Sequence, residues 1–208
     1  MADTKITALT ADTAPTTDDL LVSVDDAGGT PVNKKVTIAS LQVLLAKTLN
    51  ALTFFPADNE PPASNYATLD TRNGHLVLDF DDTTGESAIF TGVLPRSYGG
   101  NGLTVEIGYS MTSATSGTCG WLVDFERIGD SQQDIDSDGF TGSPTTVTAV
   151  TVPGTSGHVD VVSANVANGT AMDSIAAGEL FRIKITRDVA NDNAVGDAEL
   201  NWLRVREQ

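Results

Sequence analysis

Nine consecutive residues, Leu103-Thr104-Val105-Glu106-Ile107-Gly108-Tyr109-Ser110-Met111, set an apolar side chain at every second position. A period of two places Leu103, Val105, Ile107, Tyr109 and Met111 on one face of an extended strand, whereas the 3.6-residue period of a helix would scatter them. Cys119, Trp121, Val123 and Phe125 repeat the pattern, with Asp124 and Glu126 between them on the opposite face. The intervening Thr112 to Thr118 is rich in Ser, Thr and Gly and reads as a hairpin loop. A chain with two such runs must build sheets with one face turned away from water.

Further runs follow the same rule. Leu76, Leu78 and Phe80 alternate, and Ala88 to Leu94 forms a strand closed by Pro95. Thr145 to Val152 is rich in Thr and Val and stops at Pro153-Gly154, after which His158 to Ser163 continues. Phe181, Ile183 and Ile185 alternate with Arg182, Lys184 and Thr186. In the last run, Glu199 to Arg206, Leu203 and Val205 share one face and Trp202, Arg204 and Arg206 the other. Met172 to Gly178 reads as one short helical turn. About eight or nine strands at spacings of roughly 10 to 20 residues predict an all-β, antiparallel, jelly-roll-like β-sandwich over residues 51–208. The polar filler is mostly Thr, Ser, Gly, Asp and Asn, which suits strands joined by many turns.

Residues 1–50 differ and form a small N-terminal arm. Leu20-Leu21-Val22-Ser23-Val24 and Lys35-Val36-Thr37-Ile38 flank a turn at Asp25 to Pro31, which predicts a hairpin. A short helix is expected from about Ala39 to Asn50, with Ile38, Leu41, Leu45 and Leu49 as its apolar stripe and Thr37 or Ser40 as its N-cap. A helix of about 12 residues and a two-stranded hairpin are each marginal alone in water, so the arm needs a partner surface. That surface is the chain's own body, another copy of the chain, or another protein.

The formal net charge is −16, which opposes binding to a phosphate backbone or to an anionic membrane surface. No apolar run reaches the length of a bilayer span, and Met1 to Thr10 has no signal-like apolar core, so synthesis in a cytoplasm is expected. The single Cys119 permits neither an intrachain disulfide nor a cysteine zinc site, and its setting beside Trp121 reads as a small buried apolar residue. His75 and His158 lack companions at ligand spacing, and no phosphate-cradling loop or nucleophile elbow is present.

Two acidic clusters remain. Asp134-Ile135-Asp136-Ser137-Asp138-Gly139 matches the first half of a calcium loop, but its twelfth position is Thr145 where a bidentate Glu belongs. It reads as a solvent loop, with calcium held through other loops as the alternative. Asp79, Asp81, Asp82 and Glu86 offer paired carboxylates of the kind glycoside hydrolysis uses, yet a strand end and turn explain them as well. No cofactor and no catalytic constellation is expected.

Arg182, Lys184, Arg187, Arg204 and Arg206 concentrate basic charge near the C-terminus. Two readings stand: one basic face meeting an acidic face of a neighbouring subunit, or outward residues paired locally with Asp188, Asp197, Glu199 or Glu207. The expected assembly interface is therefore Ile38, Leu41, Leu45 and Leu49 with Arg182, Lys184, Arg204 and Arg206.

The arm resembles the N-terminal segments of tailed-phage fibre and other virion appendage proteins, through Lys5-Ile6-Thr7-Ala8-Leu9, Asp18-Asp19-Leu20-Leu21-Val22-Ser23-Val24 and Lys34-Lys35-Val36-Thr37-Ile38-Ala39-Ser40-Leu41. The body resembles β-sandwich modules of phage structural proteins through Leu94 to Val105, Thr112 to Gly117, Phe125-Glu126-Arg127 and Ala177 to Ile183. The resemblance implies a non-catalytic virion component, commonly a homotrimer, docked to other capsid or tail proteins as a short spike or decoration. The alternative is a tail module that binds a carbohydrate or receptor of the host surface, with Tyr66, Tyr98 and the acidic loops as contacts.

Overall fold

A computed structural model of the chain describes residues 16–25, 28–30, 32–41 and 51–208. The chain divides into two compact units, Met1–Thr48 and Leu49–Gln208.

In the first unit β1 (Leu20–Asp25) pairs antiparallel with β2 (Val32–Thr37), Leu20 facing Thr37 and Asp25 facing Val32. This is the expected hairpin. Residues 38–41 are helical, and the Ser40 backbone N–H donates to Thr37 Oγ1 at 3.0 Å, so Thr37 is the N-cap. Leu45, Leu49 and the remainder of the predicted helix lie outside the described residues.

The second unit is an antiparallel, jelly-roll-like β-sandwich. Its strands are β3 (Ala51–Phe54), β4 (Thr68–Arg72), β5 (His75–Phe80), β6 (Ser87–Val93), β7 (Leu103–Met111), β8 (Thr118–Ile128), β9 (Thr145–Thr151), β10 (Asp160–Val166), β11 (Leu180–Arg187) and β12 (Ala198–Glu207). One sheet runs β10-β7-β12-β5-β4, with β3 continuing the β5 side of β12; the other runs β6-β11-β8-β9. Short 3-10 turns occupy Pro56–Asp58 and Thr170–Met172. Among the described residues no helix is long and apolar enough to cross a membrane.

The alternating residues of β7, β8, β11 and β12 fill the space between the sheets. Tyr109, Trp121, Phe80, Phe125 and Phe181 are all fully buried. Trp121 meets Phe80 edge-on at 5.0 Å and Tyr109 at 5.4 Å between ring centroids, the offset geometry that aromatic quadrupoles favour. Cys119 is buried as expected. In β5, Leu78 and Phe80 enter the core, while Leu76 stays 45% exposed.

Three features depart from expectation. Thr112 to Thr118 does not close a hairpin: β7 lies in the larger sheet and β8 in the smaller, so the loop carries the chain from one layer to the other. Its composition marks a turn, but pairing partners decide the layer, and those are β10 and β12 for β7 and β11 and β9 for β8. Secondly, the body has one strand more than the upper expectation. The addition is β4, joined to β5 through Asn73-Gly74, both at positive φ (48° and 80°), the backbone that a two-residue hairpin requires. Thirdly, the outer side of β8 is not solvated: Asp124 and Glu126 are each 3% exposed.

Candidate functional site

The outer face of the larger sheet carries the most distinctive surface. The sequence of β7 places Gly108 on that face, and the register sets it beside Trp202 of β12. The indole lies over the glycine so closely that a Cβ there would come within 2.2 Å of Cε2. Any larger residue would lift the ring, so glycine here serves close approach. A register shift between Leu200 and Trp202 turns the indole outward. The Arg204 guanidinium sits 5.5 Å from the indole centroid.

Around Trp202, the residues Phe55, Pro56, Gly74, His75, Leu76, Val159 and Asn201 line an open groove of about 600 Å³. Phe55, Leu76 and Val159 are 56%, 45% and 53% exposed, an apolar concentration that a soluble surface seldom leaves uncovered. Phe55 comes from the end of β3, where the Asp58 carboxylate accepts the Phe55 backbone N–H at 2.8 Å and fixes the turn. His75 and Asn201 supply the polar rim.

Behind the groove runs a polar network. The Asn201 side-chain amide donates to Ser110 Oγ at 3.3 Å, and Ser110 Oγ donates to Glu199 Oε2 at 3.0 Å. Glu199 also holds Arg72, whose guanidinium caps the Met111 carbonyl at 2.8 Å. Asp79, paired across the ladder with Glu199, has a buried Oδ1 without a hydrogen-bond partner. Burial, then the Glu199 charge, pushes the Asp79 carboxyl up to about 6.

The other acidic candidates are occupied within their own turns. Asp81 Oδ1 accepts the Thr83 hydroxyl at 2.6 Å and the Thr83 and Thr84 N–H groups at 2.7 Å, and these bonds, the hydroxyl's first, hold its carboxyl below the ordinary range. Asp82 accepts the Gly196 N–H at 2.6 Å, and Glu86 accepts the Asp81 N–H at 2.9 Å. Asp134 accepts from the Asp136 N–H and the Ser137 hydroxyl, and Asp138 accepts the Asp134 N–H. The loop is thus bonded to itself. Among the described residues no group of three His, Cys, Asp or Glu side chains is placed to hold a metal ion. Burial pushes the Cys119 thiol up to about 12, so it is no thiolate nucleophile at neutral pH.

The basic residues do not form one face. Arg182 and Lys184 project from β11 in the smaller sheet, Arg204 and Arg206 from β12 in the larger one. Their acidic partners also differ from those expected. Arg182 pairs with Glu126 at 2.8 Å and with Glu60, Lys184 with Asp124 at 3.5 Å, and Arg204 and Arg206 both with Glu106. Phe140 covers the first pair, its ring 4.4 Å from Lys184 Nζ and 5.3 Å from Arg182. Arg187 is wholly inside the sandwich, bonded to Asp192 at 2.8 Å. Ile38 and Leu41 of the arm are half-buried and exposed respectively.

Of the proposed sugar contacts, Tyr98 is committed to structure: its hydroxyl accepts the Gly102 N–H at 2.9 Å and donates to Asn168 at 3.1 Å. Tyr66 is 51% exposed and lines a separate groove of about 240 Å³ with Pro61 and Leu69, Pro56 being common to both grooves. Sequence reasoning missed Phe55 and Trp202. The available signal was the outward parity of Trp202 and a glycine at the matching parity of β7.

No family model matches the sequence, and no curated protein matches it. Solved structures similar to the chain include the C-terminal CBM6 of the laminarinase LamC from Zobellia galactanivorans, with a TM-score of 0.46, 15% identity and coverage of 76% of this chain and 100% of that one. The CBM35 of Abf62 from Cellvibrio japonicus gives 0.44 and 11% over 75% and 92%. A CBM6 module of lichenase 5A from Cellvibrio mixtus, in complex with cellotriose, gives 0.42 and 16% over 76% and 97%.

Proposed function

We propose that the sandwich is a non-catalytic binding module whose ligand is an uncharged carbohydrate held in the Trp202 groove. The observation that carries this is the indole fixed against Gly108 beside Phe55, with His75 and Asn201 at the rim. A pyranose ring has apolar C–H faces and a hydroxyl edge. Aromatic planes take the faces, and amide and imidazole groups take the edge. The Glu199–Arg72–Ser110 network holds Asn201 in place, as a binding residue requires. Acidic Asp79 and Glu199 behind the groove, in a chain of net charge −16, disfavour uronic, sialylated or sulfated sugars.

Affinity electrophoresis through gels containing neutral polysaccharides tests the reading. Mobility should fall in at least one gel, and Trp202→Ala and Phe55→Ala should each restore it without changing the melting temperature. Unretarded migration in every neutral glycan, or retardation that both variants keep, refutes it.

A second reading rests on the N-terminal hairpin, where Leu20, Leu21 and Val32 are 55%, 46% and 51% exposed. In this reading the arm is the attachment device of a trimeric tailed-phage virion protein, with Ile38, Leu41, Leu45 and Leu49 as contacts. Mass spectrometry of separated phage heads and tails checks it; absence from both ends this reading.

A further inference from the structure

The body has several sheet edges, and all but one are protected. The β6 edge is covered by residues 59–67: the Ile89 N–H donates to Asn59 Oδ1, the Glu60 N–H to the Ile89 carbonyl and the Ala67 N–H to the Ser87 carbonyl. The β4 edge carries Asp70 and Arg72, β3 is only four residues long, and β9 is kinked by a register shift opposite Cys119 and Trp121. Charges, short length, bulges and covering segments are the usual means of keeping unpaired strand edges from recruiting another chain.

Strand β10 has no charged side chain beyond its first residue, no kink and no covering loop; β9 of the smaller sheet runs beside it, and an open groove of about 570 Å³ separates the two strands. Strand β10 pairs with β7 in unbroken register over all seven residues, ends the larger sheet, and contains no Lys, Arg or Pro. Its one charge, Asp160, is at its first position and accepts the Tyr109 hydroxyl. Val161, Ser163 and Asn165 face outward, with Val161 52% exposed. The surroundings carry little charge: from Gly139 to Met172 Asp160 is the single Asp, Glu, Lys or Arg, with His158 two residues before it. In a chain of net charge −16 this is the stretch where a second, equally acidic copy can approach without like charges meeting.

We propose that β10 pairs antiparallel with β10 of a second copy across a two-fold axis near Ser163, joining two larger sheets into one. An edge of this kind is self-complementary under a two-fold, and both copies gain main-chain hydrogen bonds. Val159, which lines the Trp202 groove, lies one residue before β10, so the pairing sets two grooves on one continuous surface. Two linked sites gain avidity for a repeating ligand. The pairing itself rests on the edge alone and stands whether or not the groove binds sugar.

Light scattering on the full-length chain and disulfide trapping test it together. Ser163→Cys should give, on oxidation, a covalent dimer at twice the 21.7 kDa of the chain, because paired residues near the axis fall within disulfide reach. Thr71→Cys on the charged β4 edge should give none, and the buried Cys119 does not interfere. Ser163→Lys should lower the molar mass at unchanged melting temperature, and added salt should strengthen the wild-type association by screening net repulsion. Failure of Ser163→Cys to cross-link, or a molar mass that Ser163→Lys leaves unchanged, overturns the proposal.

Discussion

Arg187→Met should be among the most damaging substitutions in the body. Its side chain has no solvent exposure and Asp192 has 2%. All five guanidinium protons are used: Nε and Nη2 on the Asp192 carboxylate, Nη1 on the Phe80 and Gly196 carbonyls at 3.0 and 2.8 Å, and Nη2 also on the Ala194 carbonyl at 2.8 Å. The side chain thereby ties the end of β11 in one sheet to the end of β5 in the other. Methionine fills much of the volume but leaves a buried carboxylate and deprives three carbonyls of a charged donor. Removing one partner of a buried ion pair costs about 3–5 kcal/mol. For a body near 160 residues each kcal/mol is worth about 2–4 °C, so melting should fall by roughly 10 °C or more. Thermal and urea unfolding followed by the combined fluorescence of Trp121 and Trp202 and by circular dichroism reads this directly. The double variant Arg187→Met with Asp192→Leu should recover part of the loss, since no unpaired charge remains. A single-variant loss under about 1 kcal/mol, or a double variant no better than the single, refutes the account.

Asp79 gives a pH signature. Its carboxyl is raised from 3.8 to about 6, so the native state holds the proton more tightly than the unfolded chain and stability declines as pH rises from about 4 to 6, then levels. After allowance for solvent screening the effect is about 1 kcal/mol, and Asp79→Asn should raise the melting temperature at pH 7.5 but not at pH 4. Gly108→Ala should displace Trp202, shifting indole emission and, if the groove binds sugar as proposed, abolishing retention, while the far-ultraviolet circular dichroism stays that of a β protein. Cys119 should ignore Ellman's reagent at pH 8 until denaturant is added; rapid native labelling would contradict its burial and raised pKa.

Much of the core follows from parity. The alternations in β7, β8, β11 and β12 predict which side chains meet between the sheets, because a period of two is a local property. The same parity extends one step past Ile185 to Arg187, and grouping that residue with outward bases overlooked it. Asn73-Gly74 marked a hairpin on its own, but β4, with sequence Thr-Leu-Asp-Thr-Arg, lacks an apolar alternation to announce it. Layer assignment at Thr112 to Thr118 and the burial of Asp124 and Glu126 depend on distant partners. The groove is of that second kind, since Gly108 and Trp202 meet only through a ladder that spans much of the chain.

Strand β3 also governs how the body carries load. Its ladder with β12 runs from Phe54 opposite Leu203 to Ala51 opposite Arg206. The groove aromatics Phe55 and Trp202 stand at one end of this ladder, and the chain enters at the other. A tether pulling on the chain ahead of Ala51 while a ligand grips Trp202 slides β3 along β12, and all four pairs resist together. The same tether pulled against the residues after Arg206 peels those pairs one at a time. Four residues act as a rivet in the first direction and a zipper in the second, so the attachment of β3 resists a pull toward the Trp202 end of β12 better than one toward its C-terminal end.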